Sequence, residues 1–117
     1  MSTIAPLSFN SDESKAFTQT LTVNGVVQDM TGWTVKLYVG SPLSLLKTIT
    51  SASNGATTGQ ISSPAAGVYY FVLLSSDLVS LLAGRTSASF PARIQYVSPA
   101  TTPPNVFDVD FTITVSA

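Results

Sequence analysis

The sequence predicts an all-β chain, an antiparallel β-sandwich of about seven strands with one short helix, and three observations predict it. Apolar and polar residues alternate over one short run after another. Gly, Pro, Asn and Ser cluster between those runs, where the chain must turn. Only one stretch, Ser75 to Gly84, combines helical spacing of leucines with capping residues at its ends.

From Ala16 to Val23, Phe17, Leu21 and Val23 alternate with Thr18, Thr20 and Thr22, so one face is apolar and the other carries hydroxyls. Asn24-Gly25 then supplies a turn that tolerates positive φ. Gly32 to Val39 places Trp33, Val35, Leu37 and Val39 on one side, with Thr34, Lys36 and Tyr38 on the other. Leu45 to Thr50 predicts a third strand, and SASNGATTG (51–59) a loop. Gln60 to Ser62 extends the pairing.

Gly67 to Leu74 (GVYYFVLL) is apolar on both faces, the mark of a central strand. Its outer face is covered by the helix that follows or meets another surface. In that helix Ser75 or Ser76 is the expected cap, Asp77 complements the positive N-terminal end and Gly84 stops it. Leu78, Leu81 and Leu82 share one face, and two turns need packing across an end of the sheets. Arg85 to Val97 resumes alternation with Ala88, Phe90, Ala92, Ile94 and Tyr96 inward, while Pro91 demands an edge or a bulge. SPATTPPN (98–105) is a proline-rich loop. Val106 to Ser116 is the cleanest strand, with Phe107, Val109, Phe111, Ile113 and Val115 on one face and Asp108, Asp110 and hydroxyls on the other. Strands at this spacing are those of an immunoglobulin-like sandwich spanning 15–117, with 1–14 as an N-terminal arm or a first edge strand.

At 117 residues the chain has the size of one domain. Charged residues make up 9%, against an ordinary share of about 25%. Seventeen Ser and fifteen Thr fill the polar positions instead. Two readings fit: a β-rich domain with a hydroxyl surface, or a subunit covered by partners. A net charge of −1 with dispersed cations offers no footprint for nucleic acid. The N-terminal MSTIAPLSFNSDESK lacks the basic and apolar regions of a signal peptide, and no apolar run approaches a membrane span.

Absence of His and Cys removes the commonest general base, metal ligand and thiol nucleophile. No GxSxG elbow or phosphate-binding glycine loop occurs. Asp108 and Asp110, about 7 Å apart on one strand face, lack the further oxygens that Ca²⁺ requires and are expected on a solvated face. Asp12 and Glu13 beside Lys15 form a local polar start. No catalytic residue, cofactor or metal is expected. Tyr38, Tyr69, Tyr70, Tyr96 and Trp33 could stack on a sugar ring, but Trp33 lies on the apolar phase of its strand, which leaves Tyr38 as the best outward ring.

The stretch Gln28-Asp29-Met30-Thr31-Gly32-Trp33-Thr34-Val35 resembles the polar-Asp-Leu-Thr-Gly-aromatic segment of immunoglobulin-like domains in tailed-phage virion proteins, especially the N-terminal domain of baseplate upper proteins. Gly67-Val68-Tyr69-Tyr70, a helix ending Leu82-Ala83-Gly84 and a strand-turn-strand finish from Arg93 to Val115 agree in order. The similarity runs from Lys15 to Ala117 and departs at Gly84-Arg85-Thr86, where the family has Gly-Lys/Arg-Tyr. It implies a non-enzymatic structural subunit of the virion, made in the host cytoplasm and placed in the capsid decoration, neck, tail or baseplate. Its implied partners are copies of itself and other virion proteins. Contact residues expected on that basis are Ile4, Leu7 and Phe9 in the arm, Tyr69 and Phe71 on the second face of their strand, and Pro103 and Pro104 in the long loop. A freestanding carbohydrate-binding module, with Tyr38 and Tyr96 as its aromatic platform, is the alternative.

Overall fold

Alternation along the strands sorts the side chains into a single core. The computed structural model describes residues 6–40, 42–99 and 106–117, which form ten strands, a 3₁₀ turn and one α-helix. In chain order the elements are β1 (Leu7–Asn10), β2 (Lys15–Thr20), β3 (Thr22–Val23), β4 (Val26–Val27), β5 (Thr34–Val39), β6 (Ser44–Ile49), β7 (Gly59–Ser63), the 3₁₀ turn (Pro64–Ala66), β8 (Val68–Leu73), α1 (Ser75–Leu82), β9 (Ser87–Val97) and β10 (Val106–Ser116). A five-stranded sheet ordered β1-β10-β9-β5-β6 faces a three-stranded sheet ordered β2-β8-β7, and β3-β4 forms a separate hairpin. Every pairing is antiparallel except β1 with β10. Strands exceed the expected seven because β1 is an edge strand of its own, and because the run from Ala16 to Val23 breaks at Leu21, where the chain leaves β2 for the hairpin.

Val35, Leu37, Ile94, Ile113 and Val115 from one sheet meet Phe17, Ile61, Tyr69, Phe71 and Leu73 from the other, all buried. Each such side chain contributes about 1.5–3 kcal/mol of transfer free energy. A chain of rings crosses the seam: Phe9 to Phe17 at 5.9 Å, Phe17 to Phe71 at 5.7 Å, Phe71 to Tyr69 at 5.9 Å and Tyr69 to Tyr96 at 5.6 Å. Tilted and edge-on contacts of this kind suit the quadrupoles of the rings.

The segment behind the phage resemblance is a corner. Asp29 Oδ1 accepts from the Thr31 backbone N–H at 2.9 Å and from its hydroxyl at 2.6 Å, and these bonds hold the Asp29 carboxyl below its usual range. Met30, fully buried, donates its N–H to Pro64 O, and Gly32 turns the chain with φ of 78° toward Trp33, which stacks on Phe107 at 6.0 Å. Asp-Met-Thr-Gly-Trp is therefore the passage from the hairpin into β5, and its residue types answer to backbone geometry.

The helix begins one residue earlier than its serines suggest. Leu74 occupies the cap position, and the Asp77 carboxylate accepts the Leu74 N–H at 2.9 Å. The Ser75 N–H is met by Ser14 Oγ at 2.9 Å, while Ser75 Oγ donates to Ser11 O at 2.6 Å. Left-handed backbone starts at Ala83 and continues through Gly84, and the Arg85 guanidinium donates to Leu82 O and Leu81 O. Orphan groups at both ends of α1 thus find partners. Leu78 and Leu82 close the end of the sandwich beside β1 and β10.

Lys47 ties three elements together. Its ammonium lies 2.9 Å from Asp77 Oδ2 and donates to Thr57 O at 2.9 Å, with the Lys47 side chain only 10% exposed. Removing it leaves Asp77 and the Thr57 carbonyl short of a partner, so Lys47→Met is expected to cost about 1–2 kcal/mol. Urea denaturation checks this: the midpoint falls with the slope unchanged.

Pro91 sits inside the sheet without breaking it. β5 ends at Val39, opposite Ala92, and Pro91 O accepts from Gly40 just beyond. The missing N–H of Pro91 points to the same side as its carbonyl, at the end of the β5–β9 ladder, so one bond is forgone there and no later rung depends on it.

Candidate protein interface

Tyr69 and Phe71, expected on an outward face, are fully buried, so that expectation is corrected. GVYYFVLL is apolar on both sides, and the outward set is Val68, Tyr70 and Val72. A folded loop, residues 51–58, reaches over Tyr70 on that face. Tyr70 donates its hydroxyl to Gly55 O at 3.2 Å, Gln60 Nε2 donates to Ser51 O at 2.6 Å, and Ser53 Oγ to Gly59 O at 2.8 Å. Val72 on the same face is 8% exposed, and its backbone N–H donates to Thr58 O at 3.2 Å. The rest of this face, Ala16, Thr18 and Thr20 on β2, carries no charge.

Phe9 is likewise buried in the core, and Leu7 packs half-buried against it, so the outward-docking role expected of Phe9 is corrected as well. Both stand on β1, whose register with β10 pairs Leu7 with Ile113 and Phe9 with Val115. Ile4, Pro103 and Pro104 lie outside the described residues. Tyr96 is fully buried and cannot serve as a sugar platform, because its strand phase turns it toward Tyr69. Trp33 is core, as its phase predicts. Tyr38 does point outward, half-buried, with its hydroxyl 3.4 Å from Gln95 Oε1.

Tyr38 belongs to the outer face of the five-stranded sheet, where the charged side chains gather in rows. Register aligns Asp108 with Gln95 and Gln95 with Lys36, and in the next row Asp110 with Arg93 and Arg93 with Tyr38. A third row runs Val106, Val97, Thr34. Arg93 Nε donates to Asp110 Oδ1 at 2.7 Å, and Gln95 Nε2 to Asp108 Oδ1 at 3.2 Å. The hydrogen bond to Asp110 pushes the Arg93 guanidinium up, and the same bond holds the Asp110 carboxyl down. Both side chains are open to solvent, so the pair organises the surface more than it stabilises the fold.

Tyr38, Leu43, Arg93 and Gln95 line a shallow groove of about 260 Å³ on this face. A second opening of about 400 Å³ lies at the β1–β2 corner, lined by Ser8, Phe9, Asn10, Glu13, Lys15 and Ser116. Exposed apolar side chains are Val26 and Val27 at the hairpin, Leu45 on β6, Val79 on α1 and Val106 on β10. Sequence reasoning placed Lys36 and Tyr38 outward on β5, and Asp108 and Asp110 outward on β10. It missed Arg93, Gln95 and their alignment into rows, because cross-strand register is invisible in a strand's own pattern.

Among the described residues no helix is long and apolar enough to cross a membrane, and no group of three or more acidic side chains is placed to hold a metal ion. No protein-family model matches the chain, and comparison with curated proteins finds no match. Among solved structures, the chain is similar to the N-terminal domain of phage TP901-1 ORF48, with a TM-score of 0.61 and 12% identity, over 95% of this chain and 84% of that one. The two share a fold.

Proposed function

We propose that the chain is a non-enzymatic structural subunit of a phage virion that works through protein–protein packing. The observation that carries this reading is the likeness in fold, over nearly the whole chain, to a domain of a phage protein. The sequence resemblance to immunoglobulin-like domains of baseplate upper proteins supports it from a separate direction. So does a surface with few charges, many hydroxyls and separate apolar side chains, which suits burial against neighbours better than long-range steering. Its partners are other virion proteins and further copies of itself, in a capsid-decoration, neck, tail or baseplate position. The glycan alternative is weakened by the burial of Tyr96, which leaves Tyr38 as a single half-buried ring.

Quantitative mass spectrometry of density-purified particles tests the reading. The chain is expected in intact virions at a constant copy number relative to the major capsid protein. Its absence from particles, with abundance in the infected-cell lysate, overturns the assignment.

A further inference from the structure

The outer face of the five-stranded sheet is complementary to itself. Acidic side chains occupy the β10 column, Asp108 and Asp110, while Lys36 and Tyr38 occupy the β5 column, and β9 lies between the two. Asp108 and Lys36 share a row across Gln95, so they stand two strand spacings apart, about 10 Å, too far to pair with each other. Asp108 takes its hydrogen bond from Gln95, and Lys36 forms no ion pair with any described residue. The opposite sheet has no charge on the outer faces of β2 and β8 beyond the strand ends, so this pattern belongs to one face alone.

A twofold axis parallel to β9, lying just above the face, exchanges the β10 and β5 columns and keeps every row in place. It sets Asp108 of each copy over Lys36 of the other, twice. It also sets Asp110 over the Tyr38 hydroxyl, which can exchange its long 3.4 Å bond to Gln95 Oε1 for one to that carboxylate, and brings the two Val97 side chains together on the axis. The two Arg93 guanidiniums approach there as well, each already neutralised by its own Asp110 at 2.7 Å. We propose that two copies of this chain associate face to face through this surface, with reciprocal Lys36–Asp108 pairs setting the register. Affinity comes from burying Tyr38, Val97 and Val106, whereas the ion pairs choose the orientation, since exposed pairs add little by themselves.

The proposal deepens the reading of the chain as an assembling subunit and can fail without it. Sedimentation velocity over a hundredfold concentration range is expected to show mass rising from 12.2 kDa toward twice that value. Lys36→Asp and Asp108→Lys should each weaken association by about tenfold or more, and the double exchange should restore it. Both positions are on the solvent side of the sheet, so unchanged far-ultraviolet circular dichroism and melting temperature serve as folding controls. High salt should weaken the wild-type contact. A monomer at every concentration, a trimer or larger ring, or a dimer indifferent to both reversals each overturns the twofold contact. A monomer that is nonetheless present in purified virions separates that failure from failure of the structural-subunit reading.

Discussion

Gly59→Ala is expected to lower the melting temperature by more than about 10 °C, which corresponds to a loss of roughly 3–5 kcal/mol. Gly59 opens β7 with φ of 107°, a conformation that L side chains rarely adopt. A Cβ there would stand 2.2 Å from Tyr70 O and 2.7 Å from Phe71 Cα, both backbone atoms of the neighbouring strand. Backbone cannot swing aside as a side chain can, so either the β7–β8 ladder opens or the strand shifts. Against a typical domain stability of about 5–15 kcal/mol, that is a large fraction. Gly25→Ala is the control: φ is 79°, but nothing lies within 4 Å of the added carbon. Only the conformational cost, about 1–2 kcal/mol, applies to it. Equal melting shifts for the two variants would refute the steric account.

Stability is also expected to fall steeply above about pH 10, the ordinary phenol range, because of one buried contact. The Tyr69 and Tyr96 hydroxyls are 2.5 Å apart in the core. Burial pushes Tyr69 far above the usual range, with the Tyr96 charge and hydrogen bond adding to it. Burial also pushes Tyr96 up to about 12, against an opposing hydrogen bond from Tyr69. Below pH 10 both phenols are protonated in either state and their stabilisation is complete. Above it the unfolded chain releases protons that the folded chain retains, so each phenol costs about 1.4 kcal/mol per pH unit. The Tyr96 contribution levels off near its folded value of about 12, while that of Tyr69 continues.

Urea titrations from neutral pH to pH 11.5 should follow that slope, roughly 2–3 kcal/mol for the first unit above pH 10. Tyr69→Phe or Tyr96→Phe alone strands one hydroxyl without a partner, at about 1–3 kcal/mol, and should halve the alkaline slope. The double Phe variant removes both hydroxyls, should cost less than the sum of the single changes, and should flatten the slope. Additive costs, or a slope unchanged in the double variant, would show that the pair is not coupled as the geometry indicates.

Where the sequence had contrast between its two phases, it was legible. β5, β9 and β10 each set apolar residues against polar ones, and Val35, Ile94 and Ile113 are buried as their phases require. β8 has apolar residues in both phases, so its pattern does not tell inner from outer, and Val68, Tyr70 and Val72 take the outward face expected of Tyr69 and Phe71. The missing signal was the covering element: SASNGATTG looks like a solvated loop, yet it folds down because Tyr70, Gln60 and Lys47 supply its hydrogen bonds. The sequence locates the helix, but Leu74 takes the cap position expected of Ser75 or Ser76, and Ser14, which meets the Ser75 N–H, is too distant in sequence to be named from local pattern.

From its sequence alone this protein's all-β class, its turns, its one helix and most of its core are determined, because a strand points successive side chains to opposite faces and water separates them by polarity. Which strand lies beside which was decided only by the tertiary structure. Polarity says in or out and carries no lateral address, so the Tyr69–Tyr96 contact and the row of Asp108, Gln95 and Lys36 exist only once β10, β9 and β5 are laid side by side.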